Sequence, residues 1–265
     1  MPLLKTPAIT LKSHKWGEAD RIVTFYTIRF GKLRGVARGA RRMKSRFGSA
    51  LEPFVHCDLN LFEKHNDPLY RVTQADIQES FSGLREDLTL MSGAARMVNL
   101  VAAVTAEGDP GPRIFGTLLG GLRSLQDGGD PALTTLLFQI RLLGETGFRP
   151  QTDHCAACGV TFEGIRGNGA AQFSSVSGGL VCATCARRYS DRCLPLSPGS
   201  LAFIQQALRV TPSVVNRLKA TGQVRAELEA AVESYVTVVA GKRLPPVDFL
   251  AAEGSEPPYG SRRLS

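Results

Sequence analysis

The pattern of apolar and polar positions divides the chain into a β-rich first third and a helical remainder. Between residues 55 and 62, apolar residues alternate with polar ones, which is the pattern of a strand with one buried face. Shorter runs predict four further strands, over residues 7–11, 22–28, 33–37 and 69–77. Turn residues separate these runs at Gly31 and at 66–68. Five short strands within 80 residues fit the OB-fold, a small Greek-key barrel.

A helical pattern replaces the strand pattern after residue 84. The stretch 87–105 is rich in Leu, Met, Ala and Val, and a cluster of Gly and Pro at 108–112 ends it. A second helix is predicted over 113–125, and a third begins at Pro131, with apolar residues at helical spacing. Three more helices are predicted nearer the C-terminus, over 200–208, 214–219 and 224–239.

Composition marks the limits of the predicted domains. Residues 151–195 are rich in Cys, Gly and Ser, and residues 251–265 hold the Gly, Pro, Ser and charges typical of a mobile tail. The sequence therefore predicts an α+β, multidomain chain in which an OB-fold β-barrel is followed by an α-helical domain that carries an inserted zinc-binding module with four cysteines. The predicted parts are the barrel at 1–80, the helical domain at 81–150 and 196–250, the inserted module at 151–195, and the tail at 251–265.

Four cysteines of the inserted module have the spacing of a zinc site. Cys155 and Cys158 form one CxxC pair, and Cys182 and Cys185 form a second pair after 23 intervening residues. Two such pairs supply four thiolates, which close a tetrahedral shell around one structural Zn²⁺ and leave no position for catalytic water. Residues 172–174 and 179–181 are expected to pair as a short hairpin, which would make the module a zinc ribbon.

Other interpretations of the cysteines stay open. Two metal-free redox pairs would have the same spacing, and His154 is a possible substitute ligand beside the first pair. Inert buried thiols are disfavoured because the segment has few apolar residues to bury them. Cys57 lies on the apolar side of its strand and is predicted to be core, whereas Cys193 is assigned no role.

Positive charge is concentrated in the first third of the chain. Residues 1–80 hold 14 of the 32 Lys and Arg but 8 of the 24 Asp and Glu, and so carry +6 of the net +8. Such an excess indicates an anionic partner, most often nucleic acid. The alternative is a basic protein that binds no nucleic acid.

A basic run within this third is the candidate nucleic-acid contact. No acidic residue occurs between Arg21 and Glu52, and residues 37–48 have the composition of a mobile loop able to wrap a phosphate backbone. The predicted contacts are Lys32, Arg34, Arg38, Arg41, Arg42, Lys44 and Arg46. Aromatic candidates for stacking on bases are Trp16, Phe25, Tyr26, Phe47 and Phe54. The alternative is a solvated basic loop that binds nothing.

Motifs of catalytic and nucleotide-binding sites are absent from the sequence. It has no GxxxxGK[ST] loop, no GxGxxG opening a βαβ unit, no GxSxG elbow and no zinc-deaminase pattern. We therefore predict a protein that is not an enzyme and has no small-molecule substrate. No stretch has the length of an apolar membrane span, and the N-terminus lacks a signal-peptide core, which predicts a cytoplasmic protein with no membrane partner.

Three stretches of the chain form a specific combination. The first contains WGEADRIVTFYT, FGKLRGVARGARR and LEPF, all between residues 16 and 54. The second is FQIRLLGETGF at 138–148, which leads into the first cysteine pair, and the third is GKRLPPVDFL at 241–250. This combination resembles the RecO family of bacterial recombination mediators and DNA repair proteins.

The resemblance implies a function in recombinational repair. It implies binding to single- and double-stranded DNA, annealing of complementary strands, and partnership with RecR and with the single-stranded DNA-binding protein SSB. Together with RecR, the family helps to load RecA onto SSB-coated DNA. A bacterial, nucleoid-associated location is implied as well.

A pocket for the SSB tail is also implied by the resemblance, in the helical domain. Arg141, Lys242 and Arg243 are the candidate residues for it. Two functions of other classes stay open: an RNA-binding OB-fold module and a non-catalytic interaction scaffold.

Overall fold

A closed five-stranded barrel forms the N-terminal part of the structure, a computed structural model that describes residues 3–63, 68–162, 172–189, 193–209 and 218–244. The strands are β1 (Leu3–Trp16), β2 (Asp20–Thr27), β3 (Gly31–Ala37), β4 (His56–Phe62) and β5 (Tyr70–Glu79). Their order around the barrel is β1-β2-β3-β5-β4. Of these five strands, only β3 and β5 pair in parallel, through the two residue pairs Gly35–Tyr70 and Val36–Arg71. The predicted OB-like barrel is confirmed.

Alternation of buried and less buried residues along the strands determines which side chains fill the interior of the barrel. In β4, the side chains of Cys57, Leu59 and Leu61 are fully buried, and the residues between them are not. The prediction that Cys57 belongs to the core is therefore confirmed. Strand β1 is longer than predicted: its first half pairs with β4 and its second half with β2, and the register shifts between Thr10 and Lys12. Residues 12–16 were missed because this arm of the β1–β2 hairpin has no buried side chain to set an alternation.

A helical domain follows the barrel, as predicted. Its helices are α1 (Leu88–Val104), α2 (Pro112–Gln126), α3 (Pro131–Glu145), the single turn α4 (Ala183–Ala186), α5 (Pro198–Arg209) and α6 (Gly222–Val239). The carboxylates of Asp87 and Asp130 each accept two backbone N–H groups and so begin α1 and α3. No helix of the described ranges has the length and apolar character to cross a bilayer.

Two predicted segments lie wholly or partly outside the described residues. In the helix predicted over 214–219, residues 214–217 are among the residues not described, and 218–219 are not helical. The predicted tail at 251–265 also lies outside the described residues.

A small cysteine-containing module lies between α3 and α5. It consists of a sheet in the order β7-β6-β8, with strands β6 (Gln172–Ser174), β7 (Gly179–Val181) and β8 (Cys193–Pro195), and of the turn α4. The predicted β6–β7 hairpin is confirmed. The module packs on α6, where the Phe173 and Tyr235 rings meet edge to face at 5.6 Å and the Ser175 hydroxyl donates to Ser234.

Contacts between the barrel and the helical domain are both apolar and polar. Leu11 of β1 and Leu122 of α2 belong to one core cluster that runs through both parts. The α1–α2 connection lies along the start of β3, where the Gly108 amide donates to the Lys32 carbonyl oxygen at 2.9 Å. The Arg123 guanidinium of α2 also makes two hydrogen bonds to the Glu79 carboxylate of β5, at 2.6 and 2.8 Å.

Candidate nucleic-acid interface and metal centre

The basic segment that follows β3 is anchored to the tip of the β1–β2 hairpin. The Gly39 amide donates to Asp20 Oδ1 at 2.8 Å, and the Arg41 amide donates to the Ala19 carbonyl oxygen at 2.9 Å. The Arg41 guanidinium donates to the carbonyl oxygens of Gly17 and Glu18, at 3.1 and 3.0 Å. Four hydrogen bonds therefore hold this segment in place, where the sequence predicted a mobile loop.

Apolar residues anchor the other end of the segment. Phe47, Leu51 and Val55 are buried in the core cluster of the barrel, although they lie outside its strands. The Thr10 amide donates to the Val55 carbonyl oxygen, and the Phe54 amide donates to that of Thr10, both at 2.9 Å. The basic residues thus lie between two fixed points on the barrel.

Two of the predicted nucleic-acid contacts, Lys32 and Arg34, lie in β3 and face the helical domain. The Lys32 ammonium donates to the carbonyl oxygens of Ala102, at 2.7 Å, and Thr105 at the C-terminus of α1, and its burial lowers the pKa of Lys32. Arg34 Nε lies 2.9 Å from a carboxylate oxygen of Glu107. Both side chains therefore serve the junction between the barrel and the helices. Their shared parity in β3 puts both side chains on the face opposite the barrel core, and only tertiary packing places the helical domain against that face.

The other five predicted contacts are brought together on the exposed basic segment. The side chains of Arg38, Arg42 and Lys44 make no hydrogen bond or ion pair with any residue that the structure describes. The Arg46 guanidinium lies over the Phe47 ring, 5.0 Å from its centre, and Arg41 is bound to the hairpin tip. We define the basic segment by these five residues, Arg38, Arg41, Arg42, Lys44 and Arg46.

Four of the five aromatic residues proposed for stacking are not accessible. Phe25, Tyr26, Phe47 and Phe54 are all at most 3% exposed, so the prediction that they contact bases is wrong. Phe25 and Phe47 fill the interior of the barrel, whereas Tyr26 and Phe54 pack into the core that the barrel shares with the helices. Trp16, at the end of β1, is 41% exposed.

The two cysteine pairs meet in the small module. The sulfur atoms of Cys155, Cys158, Cys182 and Cys185 all lie within 4.8 Å of one another. The Sγ atoms of Cys158 and Cys182 are 3.8 Å apart, too far for a disulfide and close enough for two ligands of one ion. Among the described residues, no other group of His, Cys, Asp or Glu is placed to hold a metal ion. The four cysteines are thus able to bind a metal.

Backbone amides shape the first cysteine pair. The Cys155 amide donates to the Val160 carbonyl oxygen, and the Gly159 amide donates back to that of Cys155, both at 2.8 Å. Gly159 has a φ of +76°, which a residue with a side chain adopts only at a cost. The turn directs the Cys155 sulfur toward the amide of Cys182, which donates to it at 3.3 Å. The second pair is placed at the start of α4, since Cys182 is the residue before its first turn.

Hydrogen bonds change the acidity of two of the four thiols, Cys155 and Cys185. Burial disfavours the Cys155 thiolate, but the amides of Cys182, Cys158 and Ala157 donate to its sulfur, and the pKa of Cys155 falls to about 6. Sulfur hydrogen bonds with Cys158 and Cys182 raise the pKa of Cys185 to about 12. The amides around the Cys155 sulfur therefore favour the thiolate form that a metal ligand requires.

His154 and Cys193, the other two candidates near this cluster, lie outside it. His154 forms an isolated backbone bridge with Thr161. The Cys193 sulfur lies 4.0 Å from the Ala186 carbonyl oxygen and packs at the edge of the cysteine cluster. Neither side chain belongs to the group that is able to hold a metal.

The three residues expected to contact SSB lie on two parts of the helical domain. Arg141 is mostly buried on α3, and its guanidinium lies 4.0 Å from the carboxylate of Glu145 on the same helix. Lys242 and Arg243 follow the end of α6 and are exposed, with Arg243 Nε 3.6 Å from Glu233. Lys242 and Arg243 therefore present their charge to solvent, whereas Arg141 lies mostly within the helical domain.

Comparison with known proteins gives the same family over both parts of the chain. The family model "Recombination protein O N terminal" matches residues 1–81, and "Recombination protein O C terminal" matches residues 85–246. DNA repair protein RecO of Desulforamulus reducens is 30% identical over 250 residues, which is 94% of each chain. The RecO proteins of Geobacter metallireducens and a Nocardioides species are 34% and 40% identical, over 79% and 69% of this chain and 88% and 74% of their own. The chain therefore belongs to the RecO family of recombination and DNA repair proteins.

Proposed function

We propose that the protein is a non-enzymatic recombination mediator that binds single- and double-stranded DNA through the basic segment and anneals complementary strands. The observation that carries this proposal is the set of five exposed cations on an anchored segment of an OB-like barrel, with no acidic residue between Arg21 and Glu52. Cations that neutralise the phosphates of two strands reduce the repulsion that keeps those strands apart. Membership of a DNA repair family supports DNA as the partner.

Anchoring of the segment favours binding energetically. Because hydrogen bonds to the β1–β2 hairpin already fix its backbone, less conformational entropy is lost when DNA binds. Five phosphate contacts would give a log–log salt slope of about −3.5 on single strands. Lys32 and Arg34 are left out of this number because their charged groups already bind the helical domain.

The partners of this function are proposed from the family. With RecR, the protein would help to load RecA onto DNA that is coated with SSB. For the SSB contact we propose Arg141, Lys242 and Arg243, of which Lys242 and Arg243 present positive charge on the surface after α6. Proposed domain limits are those given by composition: 1–80, 81–150 with 196–250, and 151–195.

We propose Zn²⁺ as the metal of the cysteine cluster, one ion per chain in a structural role. In a tetrahedral site with Zn–S bonds of about 2.3 Å, neighbouring sulfurs are about 3.8 Å apart. The Cys158 and Cys182 sulfurs have this separation. A shell of four thiolates is closed, so the ion would fix the two pairs, together with the β6–β7 hairpin between them, and would perform no chemistry.

Annealing of two complementary strands that are precoated with SSB tests the proposed function. We expect annealing by the wild type and a large loss in the triple variant Arg38→Ala/Arg42→Ala/Lys44→Ala. The matched control is Arg149→Ala/Arg187→Ala/Arg188→Ala, which removes the same charge from exposed residues outside the barrel and should retain annealing.

Three outcomes would contradict parts of this proposal. No annealing by the wild type would reject the mediator function. An equal loss in the two triple variants would reject the basic segment as the DNA site. Displacement of DNA by RNA oligonucleotides at equal concentration would favour an RNA-binding module.

A further inference from the structure

Trp16 is a large apolar side chain on the surface of the barrel. It is the single tryptophan of the chain and stands at the end of β1, with 41% of its surface exposed. Exposed aromatic rings beside cationic residues are the means by which many proteins bind single strands, because every base has a face on which a ring stacks. Because the other four aromatic candidates are buried, Trp16 is the one candidate of the five that is exposed enough to stack on a base.

The structure places Trp16 directly beside the basic segment. Trp16 is paired with Asp20 across the β1–β2 hairpin, and the Asp20 carboxylate accepts the Gly39 amide of the segment. The next two residues after Trp16 present the carbonyl oxygens that bind the Arg41 guanidinium. The hydrogen bonds that anchor the basic segment to the hairpin tip therefore also fix its position next to Trp16.

We infer that Trp16 stacks on an unpaired base of single-stranded DNA while the basic segment binds phosphates of the same strand. The inference rests on the proposed function and adds the means by which the protein distinguishes the two forms of DNA. In a duplex the bases are already stacked on one another, so Trp16 has no base face to meet, and only the phosphate contacts remain. The cations thus serve both forms, and Trp16 favours the single strand.

Met43 provides a matched control for this inference. Its side chain is fully exposed and lies in the same segment, between Arg42 and Lys44. Met43→Ala removes apolar surface next to the cations without removing an aromatic ring. A general apolar contact with DNA would weaken on this change as much as on the removal of Trp16, and base stacking would not.

The test uses the fluorescence of the single tryptophan in the chain of 265 residues. Wild type is titrated with an unlabelled oligothymidine and with a blunt duplex of the same length, and the anisotropy of labelled DNA is followed in parallel. We expect the single strand to quench the tryptophan emission and the duplex to leave it nearly unchanged. Trp16→Ala should raise the Kd for the single strand by about tenfold and that for the duplex by less than twofold. Trp16→Phe should retain most of the affinity, and Met43→Ala all of it.

Two results would overturn the inference and leave the proposed function intact. One is binding of the single strand by anisotropy with no change in the wild-type emission, a measurement that does not depend on the folding of any variant. The other is an equal weakening of single-strand and duplex binding in Trp16→Ala. Absence of binding to either form of DNA by the wild type would instead reject the proposed function, and the inference with it.

Discussion

Gly31 lies against the backbone of Asp109 at the place where the barrel meets the helices. A Cβ atom at position 31 would be 1.9 Å from the Asp109 carbonyl oxygen, and the residue has a φ of +61°. Only glycine satisfies both conditions, the left-handed backbone and the missing side chain. The turn between β2 and β3 therefore also sets how closely the α1–α2 connection approaches the barrel.

Replacing Gly31 by alanine should destabilise the fold strongly. The clash is with backbone rather than with a flexible side chain, so the loss in unfolding free energy is expected to be about 2–4 kcal/mol, measured by urea denaturation. Gly48→Ala is the control, since Gly48 has a φ of +51° and no atom within 4 Å of the added Cβ. It should cost only about 1 kcal/mol. Equal losses in the two variants would mean that backbone conformation alone matters at Gly31.

Removing the exposed cations should change DNA binding without changing stability. The side chains of Arg38, Arg42 and Lys44 make no hydrogen bond or ion pair with described residues, so the triple alanine variant should unfold at the wild-type urea midpoint. Its salt slope on single strands should be smaller by about 2, since each phosphate that the variant no longer neutralises reduces the slope by about 0.7. An unchanged slope, measured by fluorescence anisotropy across a range of salt concentrations, would place the phosphates elsewhere.

Removing the charge of Lys32 should have the opposite effect, lowering stability without changing the salt dependence of DNA binding. Lys32→Met keeps the apolar stem and removes the ammonium that binds the last carbonyl oxygens of α1, so we expect a loss of about 1–3 kcal/mol in unfolding free energy. Its salt slope should equal that of the wild type, since the charge is already used within the protein. A reduced slope with wild-type stability would show that Lys32 leaves α1 to bind DNA.

The ion pair between Glu79 and Arg123 should make stability depend on pH. The hydrogen bond from Arg123, aided by His56, lowers the pKa of Glu79 below its ordinary value of 4.5. A carboxylate with a lowered folded pKa stabilises fully above its unfolded pKa, and this contribution is lost as the pH falls through the folded value. The difference in unfolding free energy between wild type and Glu79→Gln should therefore shrink as the pH falls below about 5. A difference that stays constant below about pH 5 would contradict the lowered pKa of Glu79.

The metal should be lost with any one cysteine of the cluster. Native mass spectrometry is expected to find one Zn²⁺ per wild-type chain and none in Cys182→Ser, because three thiolates leave the shell open. Removal of the metal by a chelator should lower the thermal midpoint, since the site then contributes no binding energy to folding. Cys193→Ser should retain the metal, as its sulfur is outside the cluster. Wild-type protein without metal and with all cysteines reducible would reject the site.

The parts of the fold that follow from local pattern could be predicted from the sequence. Buried alternation identified β4, because one face of that strand packs on a core. Apolar composition ended by Gly and Pro identified α1, and Pro131 followed by apolar residues at helical spacing identified α3. The arm of β1 that ends at Trp16 was not predicted, since it is held by hydrogen bonds to β2 and buries no side chain.

Roles that depend on tertiary contacts could not be predicted. Lys32 and Arg38 look alike in a basic run, yet one binds the end of a helix and the other is exposed. Phe47 lies in a basic, turn-rich segment and nevertheless packs in the barrel core, together with Ala50 and Leu51 of the same segment. The cysteine cluster could be predicted because its signal lies in the spacing of two pairs, which does not depend on the rest of the chain.

The α1–α2 connection makes the barrel dependent on the helical domain. β3 and β5 pair over only two residue pairs, and the start of β3 is covered by residues 107–108 of the connection. A barrel separated from its helices would expose an unpaired strand edge, which is a template for pairing with a second molecule. It would also expose Leu11, Tyr26 and Phe54, which share a core with the helices. The helical domain thus covers apolar surface and a strand edge of the barrel, and a break between the two family segments would expose a surface prone to aggregation.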